Sequence, residues 1–369
     1  MKIYIIAGEA SGDLHASNLM REMRALKSDI QFRCWGGDLM QQQGGVVVKH
    51  YRDLAFMGFT EVLLNLRTIL NNLKFCKKDI IDFAPDAVIL VDYPGFNLKI
   101  AEFLKAKNIP VIYYISPQVW AWKQSRVKTI RRVVDKMMVI LPFEKDFYAG
   151  HQVDVEFHGH PLLDALENSR FSPVFAESNA PLVALLPGSR KQEIKRVLPE
   201  MAKVAVNFPG VRFVVAGVSS LGKEFYAQVP GAGNFEVVFN RTYDLLKQSS
   251  AALVTSGTAT LETALIGTPE VVCYKGGNIS YQIAKRIINV KYISLVNLIM
   301  DRKVVTELIQ HELNTANITK ELNLLLYDDK TRERIARDYA GLRQKLGGGG
   351  ASERAAASVL AFLNERQNL

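Results

Sequence analysis

The sequence predicts an α/β protein made of two nucleotide-binding-type domains, on three observations. Short runs rich in β-branched residues alternate with segments of helical periodicity, as in parallel sheets covered by helices on both faces. The 369 residues exceed one ordinary core and suit two domains of roughly 150 to 200 residues each. The alternation breaks at Pro161 and through the Ser-, Pro- and Asn-containing stretch 168–181, then starts afresh at Leu182. The expected division is therefore 1–167, 168–346 and a C-terminal helical piece, 347–369.

In the first domain, strands are expected over 2–8, 31–36, 86–93, 110–116, 136–141 and 156–158, with helices near 11–27, 60–83, 97–107 and 126–134. In the second, strands are expected over 182–187, 212–216, 236–239, 251–255 and 270–274. Helical segments 322–326 and 331–346 then run into the four glycines 347–350, which end any helix. A last helix over 352–365, with Ser352 as N-cap, carries Ala356, Val359, Leu360 and Leu363 at helical spacing and so docks on something. Two such halves facing each other leave a cleft at the carboxyl ends of their strands, where open sheets bind ligands.

Composition narrows the class. Hydrophobic residues at 48% and charged residues at 22% describe a globular enzyme and exclude a disordered chain. The net charge of +9 asks for an anionic partner such as a nucleotide, a phosphorylated substrate or a lipid head group. Residues 1–165 hold 21 Lys and Arg against 18 Asp and Glu, only +3, so a basic surface there must come from local clustering. Cys34, Cys76 and Cys273 are too scattered for a disulfide framework or a zinc site, which points to a reducing cytoplasm. The apolar stretch Ile3 to Ala7 is too short for a signal-peptide core, and no run approaches the ~20 residues that span a bilayer. A membrane would be met from the side.

Four strand–turn–helix segments carry candidate chemistry. In Ala7-Gly8-Glu9-Ala10-Ser11-Gly12-Asp13, glycines let backbone approach a ligand and the helix start favours an anion. Gly8, Glu9, Ser11 and Gly12 are the candidates, against a plain turn capped by Ser11 or Asp13. In Val91-Asp92-Tyr93-Pro94-Gly95-Phe96-Asn97, Asp92 ends a fully apolar strand, where burial raises a carboxyl toward general-base range. The alternative is that Asp92 caps the helix near Asn97.

The third segment, 186–194, places Arg190 where a planar fork of donors can hold phosphate oxygens, with Ser189 and Glu193 beside it. A solvated arginine at a helix start is the competing reading. The fourth, Thr255-Ser256-Gly257-Thr258-Ala259-Thr260-Leu261-Glu262, offers amides and hydroxyls for a pyrophosphate. Ser256, Gly257 and Thr258 form that cradle, and Glu262, one turn on, is placed to accept from ribose hydroxyls.

No Asp-x-Asp pair, Walker-type phosphate loop or Gly-x-Gly-x-x-Gly after the first strand occurs, so neither a metal nor another cofactor is expected. His158 and His160 lack a third ligand and read as a linker turn. Trp120 and Trp122 run into Lys123, Arg126, Lys128, Arg131, Arg132 and Lys136, which suits a lipid head-group interface. The apolar segment 54–59 with Leu63 and Leu64 is a second such candidate, and a core tryptophan pair beside a solvated helix face is the alternative. Nucleic acid is not expected, because no recognition fold accompanies the stripe.

Together these segments resemble the lipid-A-disaccharide synthase family over nearly the whole chain. The carriers are AGEASGD at 7–13, FMGFTEVL at 56–63, VDYPGFN at 91–97 and SPQVWAWKQSRV at 116–127. LPFEKDFY at 141–148, LLPGSRKQE at 185–193, SGTATLE at 256–262 and YISLVNL at 292–298 complete the ordered set. The resemblance implies two Rossmann-like domains facing a cleft, the GT-B arrangement. It also implies an inverting transfer of 2,3-diacylglucosamine from UDP to the 6-hydroxyl of 2,3-diacylglucosamine 1-phosphate, giving a β-1,6 disaccharide and UDP. By resemblance Asp92, Arg190 and Asn297 are functional, and the final helix folds back on the N-terminal domain. The enzyme would be cytoplasmic and peripheral on the inner face of the cytoplasmic membrane, with a homodimer of exchanged C-terminal parts as a common form. The chain departs from the family pattern at Gly95, where a second acid is common, and at Val296, where proline is usual. A UDP-sugar epimerase or other UDP-sugar transferase, and a non-catalytic nucleotide- or lipid-binding protein, are the competing readings.

Overall fold

A computed structural model describes residues 1–54, 66–176, 180–277, 281 and 290–367. It divides into two compact units, Met1–Asn168 with Leu346–Leu369, and Ser169–Lys345.

The first unit is built on seven parallel strands: β1 (Lys2–Ala7), β2 (Gln31–Gly36), β3 (Val46–His50), β4 (Ala87–Val91), β5 (Val111–Tyr114), β6 (Lys136–Val139) and β7 (Glu156–Phe157). Their order is β3-β2-β1-β4-β5-β6-β7, so the winding reverses between β1 and β4. Alternate residues serve opposite faces. Ile3, Ile5, Ile89 and Ile112 pack with Leu19, Met20 and Met23 of the helix Ala10–Leu26. Tyr4, Ile6, Val88 and Leu90 pack with Ile80, Ile100 and Leu104 of the helices Leu66–Phe83 and Pro94–Ala106. Burial on both faces is why these strands read as unbroken apolar runs.

The second unit repeats the scheme with six parallel strands: β8 (Leu182–Leu186), β9 (Arg212–Gly217), β10 (Glu236–Phe239), β11 (Ala251–Thr255), β12 (Glu270–Tyr274) and β13 (Thr306–Ile309). Their order, β10-β9-β8-β11-β12-β13, reverses between β8 and β11. Both sheets thus follow the doubly wound order of nucleotide-binding folds.

The expected strands all form, four with the expected bounds, six shorter by one to three residues and Arg212–Gly217 longer by one, and two more appear. Edge strand β3 follows a glycine pair and leads into Lys49 and His50; β13 interrupts its apolar side with Glu307, which is turned to internal hydrogen bonds. Neither presents the apolar run that marks a central strand. The helix expected near 97 begins at Pro94, whose fixed φ suits a first helical turn. Pro161 likewise starts a helix, Pro161–Glu167, and does not interrupt the fold; His160 caps it by accepting from the Leu162 amide.

Ser352 is not the N-cap of the last helix, which runs Ala351–Gln367 and buries Ser352 in its first turn. The cap comes from elsewhere: the Asp164 carboxylate accepts from the amides of Gly350 (2.7 Å), Ala351 (3.2 Å) and Ser352 (2.6 Å). This helix lies against Ala10–Leu26, with Val359, Leu360 and Leu363 buried in the same cluster as Leu19 and Met23. Each such side chain contributes roughly 1.5 to 3 kcal/mol. No described helix is long and apolar enough to cross a membrane. The segment 56–63 and most of 54–66 lie outside the described residues.

Candidate active site

In the first unit, β1 and β4 pair so that Ala7 stands beside Val91. The turns that follow them, carrying Gly8 and Glu9 on one side and Asp92 on the other, therefore meet at the switch point of the sheet. Asp92 and Tyr93 both hold left-handed backbone, with φ of 42° and 48°. Non-glycine residues rarely do so, and strained corners of this kind concentrate at functional sites.

Asn97 over-determines the corner. Fully buried, its Nδ2 donates to the carbonyls of Ile6 (3.4 Å), Val91 (3.2 Å) and Asp92 (2.8 Å), while the Tyr113 hydroxyl donates to the Asp92 carbonyl at 2.6 Å. The Asp92 amide donates to the Ile115 carbonyl, which ties the corner to the end of β5. Asp92 does not cap the following helix, whose N-cap is Tyr93. Burial first, and then the negative charge of Glu9, push the Asp92 carboxyl up to about 7.

The other members of this turn are structural in part. Gly12 sits 3.2 Å, by its would-be Cβ, from the Ala7 side chain and lets the helix close on the strand. Ser11 lies in the first turn of that helix. Asp13 does not cap its own helix; its carboxylate accepts from the amides of Gly37, Leu39 and Met40 and so caps the neighbouring helix Asp38–Gln42.

In the second unit, Leu186 of β8 pairs with Val254 of β11, which brings the 187–190 turn beside the 256–258 turn. Arg190 is the exposed N-cap of the helix Lys191–Lys203. Glu193 folds back so that its carboxylate accepts from the Ser189 amide at 3.2 Å and covers Gly188. Gly257 and Thr258 head the helix Thr258–Ile266. The Ser256 hydroxyl donates to the Ile293 carbonyl at 2.8 Å, so this side chain braces the cradle.

Glu262 lines a cavity of about 450 Å³ together with Asn240 and Tyr243. The Tyr243 hydroxyl donates to it at 3.1 Å, and burial raises its carboxyl above the ordinary range.

Asn297 belongs to a helix packed against Thr258–Ile266. It is fully buried in the helix Leu295–Met300: its Oδ1 accepts from the Val304 and Val305 amides, and its Nδ2 donates to the Val305 carbonyl and to Glu307 Oε1 (each 2.9 Å). Glu307 in turn accepts from the amides of Ile293 and Ser294. A hydrogen-bond route thus links Asn297 to the cradle through Glu307, the Ile293 backbone and Ser256. Val296 is buried without disturbing the helix cap, since Ser294 accepts from the Asn297 amide. Around Gly95 nothing lies within 4 Å of a would-be Cβ.

Sequence reasoning missed Asn97, Tyr113, Tyr243 and Glu307. Asn97 stood in a quoted motif as a helix-start residue; the other three carried no local signal. The tryptophan pair divides. Trp120 donates to the buried Glu144 carboxylate at 3.2 Å, whereas Trp122 is 48% exposed with Lys123 and Arg126 over its ring at 4.7 and 5.3 Å. Among the described residues there is no group of three or more side chains able to hold a metal.

Two doubly wound sheets, each gathering loops at its switch point, define an α/β protein of the class shared by GT-B glycosyltransferases and UDP-sugar epimerases. Solved structures carry the same fold. The UDP-GlcNAc 2-epimerase from Neisseria meningitidis bound to UDP-GlcNAc superposes with a TM-score of 0.70 at 13% identity, covering 98% of this chain and 100% of that one. The glycotransferase of kitacinnamycin gives 0.68 at 14%, covering 98% and 99%. The model of the lipid-A-disaccharide synthetase family matches residues 3–362. The lipid-A-disaccharide synthase of Syntrophus aciditrophicus (strain SB) is 42% identical over 98% of both chains, and that of Myxococcus xanthus (strain DK1622) is 39% identical over 98% of this chain and 97% of its own. The chain belongs to the lipid-A-disaccharide synthetase family, and it is a glycosyltransferase of lipid A biosynthesis.

Proposed function

We propose that the protein catalyses an inverting transfer in which Asp92 is the general base. The donor is UDP-2,3-diacylglucosamine and the acceptor is 2,3-diacylglucosamine 1-phosphate. The acceptor 6-hydroxyl oxygen attacks C1 of the donor sugar, forming the new C–O bond on the face opposite the leaving group. The bond from C1 to the diphosphate oxygen breaks, its electron pair leaves with UDP, and the hydroxyl proton passes to the Asp92 carboxylate. The product is the β-1,6 disaccharide.

The observation that carries this reading is the half-buried Asp92 carboxyl, raised to about 7 beside Glu9 at the switch point of its sheet. Such a group is partly ionised at neutral pH and takes a proton readily. At the other switch point, Arg190, Ser189 and the Gly257–Thr258 amides are suited to the charge that develops on UDP. Glu262 suits the ribose hydroxyls. Glu193 now holds the Ser189 amide and must yield it to a phosphate. Asn297 is a positioning residue for the cradle. Gly8, Glu9, Ser11 and Gly12 shape the acceptor side.

The exposed Trp122, with Lys123 and Arg126 against it, supports peripheral binding to an anionic membrane surface, which would deliver acylated substrates.

The test is disaccharide formation from radiolabelled donor with purified Asp92→Ala and Arg190→Ala proteins. Losses of a hundredfold or more in each are expected, on the scale of removing a base or a charge-stabilising donor. Near-normal rates in both would remove the assigned roles. Full turnover of unacylated UDP-GlcNAc would favour a different UDP-sugar enzyme.

A further inference from the structure

The cavity beside Glu262 is walled partly by the segment that enters the second unit: Ser169 and Arg170 line it together with Asn240 and Tyr243. That segment is held firmly. The Ser172 amide donates to Asp244 Oδ1 (2.9 Å), and Arg241 Nη2 donates to the carbonyls of Ser172 (2.6 Å) and Pro173 (3.0 Å). Gln248 Oε1 accepts from the amides of Val174 (2.6 Å) and Phe175 (3.2 Å), and its Nε2 donates to the Phe175 carbonyl (3.0 Å). Arg212 lies 3.5 Å from the centre of the Phe175 ring. The helix Thr242–Gln248 thus carries both a cavity wall and the clamp that seats Arg170 at the cavity.

Two arginines border this space, and they differ. Arg241 is committed, its Nε to Asp244 Oδ2 at 3.1 Å and its Nη2 to backbone carbonyls. Arg170 is exposed and forms no ion pair among the described residues. Its guanidinium is donor-only, and among the described residues no acid pairs with this cation of the wall.

The position within the sheet says which part of a ligand it would meet. The anion cradle stands at the ends of β8 and β11, whereas Asn240 follows β10, the far edge strand in the order β10-β9-β8-β11. A nucleotide with its diphosphate at Gly257–Thr258 and its ribose on Glu262 extends its base toward the β10 loop. Asn240 itself holds left-handed backbone there, φ 57°.

We propose that Arg170 reads the pyrimidine of the donor nucleotide by donating to O4 of the base, and so selects uracil over cytosine. This rests on the reading above that the cavity takes UDP. Uracil presents O4 as an acceptor, while cytosine puts an amino donor at the same place, which a guanidinium cannot pair with.

The test is titration calorimetry of UDP, CDP and inorganic pyrophosphate with the full chain, wild type and Arg170→Ala, Arg170→Lys and Glu262→Ala. Arg170→Ala is expected to weaken UDP about tenfold, to leave pyrophosphate within about twofold, and to shrink the UDP-over-CDP preference by a similar factor. Arg170→Lys should recover part of the loss, and the kinetic effect should fall on the donor KM more than on kcat. Unchanged UDP affinity in Arg170→Ala, with affinity lost in Glu262→Ala, overturns the proposal and leaves the nucleotide site standing. So does an equal loss for pyrophosphate, which would make Arg170 a phosphate ligand. Wild-type protein that binds no UDP removes the nucleotide reading itself.

Discussion

The ring of Tyr93 lies over Gly8 so closely that a Cβ on the glycine would stand 2.5 Å from the ring. Tyr93 is aimed there by the left-handed corner it shares with Asp92. Gly8 is thus demanded by an internal contact. Gly8→Ala should push the ring aside and disturb Asp92. We expect a loss of about 1 to 3 kcal/mol in urea unfolding, on the scale of an overpacked core site, together with reduced turnover. Wild-type stability and rate in that variant would show that the ring moves freely.

Asp92 sets a pH dependence of known sign. Its ordinary value of 3.8 is raised to about 7, first by burial and then by Glu9. The folded state therefore binds the proton more tightly than the unfolded chain. The stability this contributes is present below about pH 4 and is lost as pH rises to about 7. With Asp92 as the proposed base the direction for catalysis is opposite, because a base must be ionised: kcat/KM should rise about tenfold per pH unit below 7 and then level off. Glu9→Gln should move the inflection down only part of the way, since burial is the larger cause. A flat profile between pH 5 and 8 with chemistry rate-limiting would rule Asp92 out as the base.

Asn297 makes its side-chain hydrogen bonds inside the protein. Asn297→Ala should therefore lose stability, by about 2 to 4 kcal/mol, along with activity, because several buried partners are left unpaired. Asn297→Asp should be worse still, since it sets a carboxylate against Glu307. Thermal unfolding separates this from a substrate-touching role, in which the Ala variant would melt like wild type and yet be inactive.

Asp164 supplies the cap for the last helix from another part of the chain. Asp164→Ala should cost about 2 kcal/mol and speed hydrogen exchange over 350–363. Exchange as slow as in wild type would mean that Val359, Leu360 and Leu363 hold the helix without the cap.

Much of this was legible before any coordinates. The strands that form the two sheet centres read as apolar runs because both faces are covered, and the turns after β1, β4, β8 and β11 were recognised by their glycines and by polar residues at strand ends. Edge strands β3 and β13 were not, for an edge needs no unbroken apolar run. Ser352 looked like a cap because small hydroxyl residues cap helices locally, but a distant carboxylate had taken that place. Asn297 stood out by resemblance, yet its burial behind Glu307 has no signature in neighbouring residues.

The amino-acid order by itself determined the central strands, the turns that follow them and most of the covering helices, because backbone hydrogen bonding and side-chain period act over a few residues. Tertiary structure alone decided the strand order, and with it that Glu9 stands beside Asp92, that the β8 and β11 turns adjoin, and that Arg170 borders the cavity of Glu262. Those neighbours are separated by dozens of residues, and only the burial of both sheet faces selects which distant strands pair.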